Sequence, residues 1–278
     1  MVISIDGVVV PEERATISIL DRGFLYGDGL FEVLRTWNTF PVDLDAHLDR
    51  MAAAGDALKL GFDRAKVKTA VRTTIAAAGD DTDYRVRIIV TRGQGGVGVR
   101  FAAVRGGHTI VILEPLGTLP TTTTAAFVEW EVPARDVGYK TLAYLDSLIA
   151  KELAAERGAE EGLRLGPDGG VVEGATSNLF IVKANIVQTP PLATGILPGI
   201  TREHVLACCQ QLQIATAERW LTTHEVEFAD EIFVTSSVRG VVAVTRLEGR
   251  PVGNGVGPVT QKLVTAYAER MSRATIAV

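Results

Sequence analysis

Three short motifs carry residue types that could do chemistry together. Lys140 lies in Gly138-Tyr139-Lys140-Thr141, Glu173 in Glu173-Gly174-Ala175-Thr176-Ser177-Asn178-Leu179-Phe180, and the third motif is Leu197-Pro198-Gly199-Ile200-Thr201-Arg202. A lysine condenses with an aldehyde only as the neutral amine, which requires partial desolvation. The flanks of Lys140, Val137-Gly138-Tyr139 and Thr141-Leu142-Ala143-Tyr144-Leu145, are weakly polar, whereas most surface lysines sit among charges. The plain alternative is a lysine at a helix mouth with a snorkelling stem. Glu173 stands between Val172 and Gly174, ahead of the apolar run Leu179-Phe180-Ile181-Val182, so partial burial is expected. A buried carboxylate needs a partner, and a protonated ring nitrogen would be one; a carboxylate capping the following turn is the alternative. Pro198 and Gly199 make a turn into a helix, where free N–H groups and the Thr201 hydroxyl could hold a phosphate. An ordinary capped helix start is the alternative there.

Together the motifs supply an amine for a Schiff base, an acid for a pyridine nitrogen and a backbone cradle for a phosphate. Those are the needs of a pyridoxal phosphate enzyme. A further pair stands in Tyr84-Arg85-Val86-Arg87-Ile88-Ile89-Val90-Thr91-Arg92-Gly93. On a strand, Arg85 and Arg87 share a face, and two arginines on one face could receive a carboxylate; a solvated edge or subunit-contact face is the alternative.

Apolar spacing says which elements must position these groups. Residues 2 to 10 read as strand, turn at Asp6-Gly7, and strand. Residues 30–37 alternate as a strand. Leu44 to Leu60 reads as a helix with Leu44, Leu48, Met51 and Leu58 as its apolar residues. A second helix is predicted over 63–78, ending near Gly79, with strands over 84–91 and 109–113. Glu114-Pro115-Leu116-Gly117-Thr118-Leu119-Pro120 and threonines 121 to 124 have hinge composition. Strand 125–131, helix 142–157, strands 161–165 and 179–183, helix 201–212 and strand 231–234 follow. The pattern predicts an α/β fold with mixed sheets: an N-terminal α/β domain over 1–114, a linker over 115–124, and a C-terminal α/β domain over 125–278 that carries the lysine.

Composition sets the bounds. The chain has 278 residues, 47% of them apolar, enough for a full core. Lysine and arginine total 28 against 33 acids, with no basic run, which argues against nucleic acid as a main partner. No cluster suggests a metal site. The two cysteines, Cys208 and Cys209, are adjacent in a helical pattern and point different ways, so no disulfide joins them, in keeping with a reducing compartment. The start lacks the basic-then-apolar form of a secretory signal. No apolar run nears the roughly 20 residues needed to span a bilayer. A soluble cytoplasmic protein is expected.

At this point the residues resemble a family. Asp21-Arg22-Gly23-Phe24-Leu25-Tyr26-Gly27-Asp28-Gly29-Leu30-Phe31-Glu32 is similar to the opening signature of the class IV aminotransferases, the fold type IV pyridoxal phosphate enzymes. His47-Leu48-Asp49-Arg50-Met51 resembles the family's phosphate-arginine helix, and Thr222-Thr223-His224-Glu225, Ala229-Asp230-Glu231-Ile232-Phe233 and Val234-Thr235-Ser236-Ser237 its C-terminal segments. The likeness covers nearly the whole chain. It implies a two-domain fold with the cofactor in the cleft between domains, and a homodimer in which each site borrows residues from its neighbour.

Carried over position by position, the resemblance implies that Lys140 is the internal aldimine and proton shuttle, and that Glu173 binds the pyridine nitrogen. Arg50 would pair with the phosphate, a task suited to a forked guanidinium. Ile200 would add its amide, and Thr201 its amide and hydroxyl; Ser236 and Ser237 would lie near phosphate and substrate. Pocket walls would include Tyr26, Phe31, Arg87, Tyr139, Val238 and Arg239. The implied activity is transfer of an amino group from an amino acid or primary amine to a 2-oxo acid. Two other readings stand beside it. A 4-amino-4-deoxychorismate lyase, releasing pyruvate and 4-aminobenzoate, shares Asp21 to Phe31 almost verbatim; Val33, where most lyases carry a hydroxyl, favours transfer. A cofactor-free α/β binding protein is the third. The chain departs from many relatives at Ala143, where they carry asparagine. In Gly93–Arg100, only Arg100 could stand in for the arginine–histidine pair of D-amino acid aminotransferases.

Overall fold

The structure, a computed structural model, describes residues 1–79, 82–95, 106–129 and 138–274; Arg100 lies outside the described residues. The chain divides into two units. The first holds Met1–Gly117 and Tyr139–Tyr144, the second Thr118–Gly138 and Leu145–Arg273.

The first unit opens with β1 (Val2–Ile5) and β2 (Val8–Val10). Asp6 and Gly7 join them with φ of 53° and 81°, the left-handed pair that a two-residue hairpin turn requires. After α1 (Arg22–Tyr26) come β3 (Gly29–Trp37) and β4 (Phe40–Pro41), then α2 (Leu44–Ala57) and α3 (Arg64–Ala78). Asp63 caps α3 by accepting from the amides of Ala65 and Lys66, and Gly79 ends it at φ 68°. β5 (Tyr84–Thr91) and β6 (Thr109–Pro115) complete a six-stranded sheet in the order β2-β1-β6-β5-β3-β4. Every pairing in it is antiparallel.

Alternation divides this sheet by face. Tyr84, Val86, Ile88 and Val90 of β5 join Leu30 and Leu34 of β3 in a core with Leu48 and Met51 of α2 and Val67 and Val71 of α3. Each such fully buried aliphatic side chain contributes roughly 1.5–3 kcal/mol. The opposite face carries Phe31 and Val33, which lie across from Ile89 and Arg87. β4 pairs only with Thr36 and Trp37 of β3. The Gly29–Phe31 part of that strand's outer edge is taken by the lysine segment. Phe31 N–H donates to Lys140 O at 2.9 Å, Leu142 N–H donates to Gly29 O at 3.1 Å, and Leu30 and Thr141 form a bridge.

The second unit contains β7 (Thr122–Val128), α4 (Leu145–Glu156), β8 (Glu161–Leu165), β9 (Val171–Gly174), β10 (Asn178–Lys183), β11 (Ile186–Thr189), α5 (Ile200–Gln211), β12 (Thr216–Glu218), α6 (Thr223–Glu227), β13 (Glu231–Ser236), β14 (Gly240–Leu247), β15 (Arg250–Pro251) and α7 (Pro258–Ala274). Its nine-stranded sheet runs β12-β11-β10-β13-β14-β7-β8-β9, with β15 on β14. It is mixed: β11–β12, β14–β7 and β7–β8 are parallel. The central strands read as unbroken apolar runs, such as Leu179-Phe180-Ile181-Val182, because both faces are covered. Cys208 and Cys209 are buried, free thiols on α5, and burial pushes Cys209 up to about 11.

The fold is the expected mixed α/β class, with differences of detail. The strand expected at 125–131 runs Thr122–Val128, because the β-branched threonines pair with Ala243, Val244 and Arg246 of β14 instead of forming a linker. The helix expected from 142 starts at Leu145, because the main chain of Lys140–Leu142 is committed to β3. The lysine segment therefore packs with the first unit, although it follows β7 in sequence.

Candidate active site

In the first unit, Lys140 Nζ lies 4.5 Å from the centroid of the Phe31 ring and 5.5 Å from that of Tyr144. The rings themselves meet edge to face, with centroids 5.0 Å apart at 85°. Phe31 is almost fully buried, and the two rings shed water from the half-buried lysine's amine. Arg87 also lies against Phe31, its guanidinium carbon 5.1 Å from the centroid. The two arginines of β5 differ. Arg85 is paired with Glu114 at 3.4 Å, whereas Arg87 is exposed and makes no ion pair among the described residues.

Arg50 sits on α2 three residues after His47, and both reach the same buried carboxylate. Arg50 Nε donates to Glu32 Oε1 at 2.8 Å, Arg50 NH2 to Glu32 Oε2 at 2.6 Å, and His47 Nδ1 lies 2.8 Å from Oε2. Burial would raise the Glu32 pKa, but the Arg50 charge and the His47 hydrogen bond outweigh it and hold the group at about 2. Two of the five N–H groups of Arg50 are thus spent on orienting the guanidinium. Tyr26 is partly exposed on α1 beneath the Arg22 guanidinium, 4.9 Å away. Tyr139 packs on the first-unit core.

In the second unit, Glu173 on β9 is 8% exposed, and three donors converge on its carboxylate. Arg164 NH2 reaches Oε1; Leu197 N–H and Asn178 Nδ2 reach Oε2 at 3.2 and 3.4 Å. Asn178 also donates to Leu197 O at 3.0 Å, which ties the acid to the turn before α5. That helix opens at Gly199, which offers no side-chain cap. Ile200, Thr201 and Arg202 of its first turn are all buried, and the Thr201 hydroxyl lies 3.3 Å from Tyr267 OH. Arg202 anchors the turn on Pro190 O at 3.0 Å and Glu218 at 2.6 Å. A buried helix start without a cap leaves amides directed at whatever anion it meets.

Ser236 ends β13 and pairs with Gly240, so Ser237, Val238 and Arg239 form the hairpin turn into β14. Arg239 is turned back to fully buried Glu161 at 3.4 Å, where Lys151 also approaches at 3.6 Å. Ser177 Oγ and Thr235 Oγ1, on either side of Asn178, are buried without a hydrogen-bond partner among the described residues.

The structure therefore gathers Phe31, Arg87 and Lys140 in one group, and Glu173, Ile200 and Thr201 in another. Sequence reasoning missed Glu32, His47, Asn178 and Arg164. The first two had a signal: His47 and Arg50 stand three apart on one helix face, and Glu32 is the only acid on β3.

The profile of the family described as amino-transferase class IV matches residues 29–247. The branched-chain-amino-acid aminotransferase of Pseudomonas aeruginosa is 31% identical over 291 residues, covering 99% of this chain and 94% of that protein. The D-alanine aminotransferase of Bacillus licheniformis is 31% identical over 280 residues, covering 96% and 95%. Among solved structures, a branched-chain aminotransferase from Thermoproteus uzoniensis with norvaline superposes with a TM-score of 0.87 at 29% identity, covering 99% of this chain and 95% of that one. With a matching profile that spans both units, the chain belongs to the class IV aminotransferases.

Proposed function

We propose that the chain transfers the amino group of an amino acid to a 2-oxo acid, with Lys140 as the reactive amine. Enzymes of this class use pyridoxal 5′-phosphate, which supplies an aldehyde for imine exchange and a ring that accepts electrons. The residues present fit it. In the second unit, the uncapped start of α5 with the Thr201 hydroxyl suits a phosphate; in the first, the Arg50 guanidinium has the charge and fork for the same task. The buried carboxylate of Glu173 suits a ring N–H. Ser236 and Ser237 serve phosphate and substrate from the β13–β14 turn.

The observation that carries this reading is the placing of Lys140: its backbone is bonded into β3, and its amine lies over two aromatic rings. Free of the cofactor, Nζ takes the substrate Cα proton and returns it, work commonly worth roughly 10²–10⁴-fold for a positioned base. With Arg85 occupied by Glu114, Arg87, beside Phe31, is the arginine on that face of β5 able to receive a substrate carboxylate; Tyr26 and Tyr139 are the first unit's other proposed pocket residues. In the second unit, Val238 and Arg239, the latter held by Glu161, are the proposed substrate-facing residues of the β13–β14 turn. The named relatives are aminotransferases, and no observation favours a lyase. The relatives act on branched-chain and D-amino acids by their names, so both donor classes belong in the assay.

Two copies of the chain pair through the exposed apolar stretch before and within α1, where Ile19 is 73% and Phe24 67% exposed. Among the described residues, no helix is long and apolar enough to cross a membrane; catalysis on small polar acids suits the cytoplasm.

The test is borohydride reduction of the loaded protein with peptide mapping, beside turnover with L-branched and D-amino donors and 2-oxo acid acceptors. Lys140→Ala should abolish trapping at that peptide and lower turnover by roughly a hundred- to ten-thousandfold, the range a general base supplies. Full turnover in that variant, or a trapped cofactor on another residue, overturns the assignment. In the same assay Arg87→Ala should raise KM for acids and leave KM for a simple primary amine unchanged; equal effects on both would remove Arg87 from carboxylate binding.

A further inference from the structure

Three glycines of the N-terminal signature face the two residues that follow the lysine bridge. A β-carbon on Gly29 would lie 2.6 Å from Leu142 Cδ1 and 2.6 Å from Val90 O. One on Gly23 would lie 3.2 Å from Leu142 Cδ1. One on Gly27, which holds φ at 64°, would lie 2.7 Å from Ala143 N. The absent side chains of Gly23 and Gly29 thus leave a hollow that the Leu142 isobutyl group enters, and Gly27 makes room for Ala143. The floor of this hollow is rigid. Asp21 accepts from Gly23 N–H at 2.7 Å and from the Thr91 hydroxyl at 2.8 Å. Asp28 binds Arg22 and Arg92 at 2.8 Å each, and Arg92 in turn donates to Lys59 O and Leu58 O at the end of α2.

We propose that Leu142 is a positioning residue for Lys140: seated against Gly23 and Gly29, with Gly27 admitting the Ala143 main chain beside it, it locks the register of the two main-chain bonds that aim the amine across Phe31. Those bonds are two in number, and a bridge this short can slip or fray. The leucine adds a contact that only one register satisfies. A displacement of about 1 Å at a reacting group can cost on the order of 100-fold in rate, so the seat acts on turnover while touching neither substrate nor cofactor. The proposal rests on Lys140 being the reactive amine.

The experiment is a graded series, Leu142→Val and Leu142→Ala, with Leu142→Met as the conservative control. Three readouts are taken: kcat and KM, amide hydrogen exchange at Phe31 and Leu142 in protein without added substrate, and the site of borohydride trapping. The expected result is a kcat loss of about 10- to 100-fold in Ala, an intermediate loss in Val and recovery in Met. KM should change less than threefold, and exchange at the two amides should speed up at least tenfold in step with the kcat loss. Unchanged kcat, or unchanged exchange at Phe31, overturns the proposal. If Ala fails to fold, Val decides by the same criteria. Trapping on a residue other than Lys140 in the unaltered protein would instead overturn the lysine assignment, so the two failures are distinguishable.

Discussion

Glu32 is the most constrained ionisable residue of the first unit. It is 1% exposed, bonded on both oxygens by Arg50 and touched by His47. Its carboxyl is lowered from 4.5 to about 2. A carboxyl depressed on folding stabilises the native state above its unfolded pKa, and that stabilisation fades as pH falls through the folded value. The lowering corresponds to roughly 3 kcal/mol. Glu32→Gln should therefore be destabilised by an amount of that order near pH 7. Its deficit against the unaltered protein should shrink as pH falls from about 4.5 to 2, read by urea unfolding monitored by circular dichroism. A pH-independent deficit would mean that the carboxylate charge is not what the triad uses. At this scale the sequence was legible in burial: Glu173, flanked by Val172 and Gly174, was expected to be at least partly buried and is 8% exposed. It was least legible where a partner comes from a distant element, as with the fully buried Glu161 that holds Arg239.

At the scale of elements, α5 is where local sequence and site coincide. Gly199 supplies no cap, and a β-carbon there would collide with Asn178 Oδ1. Gly199→Ala should displace Asn178 from Leu197 O and Glu173, loosening cradle and acid together. The expected outcome is a fall in pyridoxal phosphate affinity of about ten- to a hundredfold, the cost of one or two disturbed buried hydrogen bonds, with the far-ultraviolet spectrum retained. Titration of apoprotein with the cofactor checks it; unaltered affinity would show that the cradle tolerates the shift. Most elements could be read from periodicity: α3 was expected over 63–78 and runs Arg64–Ala78, and β5 was placed residue for residue. β14 and α7 were not anticipated. β14 owes its place to neighbours, since Val242, Val244 and Leu247 pack in a core built by β7, β10 and β13. The late start of α4 likewise reflects tertiary bonds of the preceding residues, which no local pattern records.

At the scale of the molecule, the family likeness carried the fold class, because its motifs are scattered over both units. The proposed pairing of two copies carries its own prediction. The stretch from Ile17 to Tyr26 leaves Ile19, Leu20 and Phe24 exposed to 46% or more, costly to keep in water unless covered. Sedimentation should give twice the 29.7 kDa chain mass, and Phe24→Asp should shift the distribution toward one copy. A monomer in the unaltered protein at micromolar concentration would refute the pairing. The lysine bridge to β3 has a last consequence. Strand edges left bare are templates for joining other chains, and here the segment that bears Lys140 also shields Gly29–Phe31. A protease nick near Lys140 should therefore do more than silence the enzyme: it should turn the molecule into a seed for precipitation.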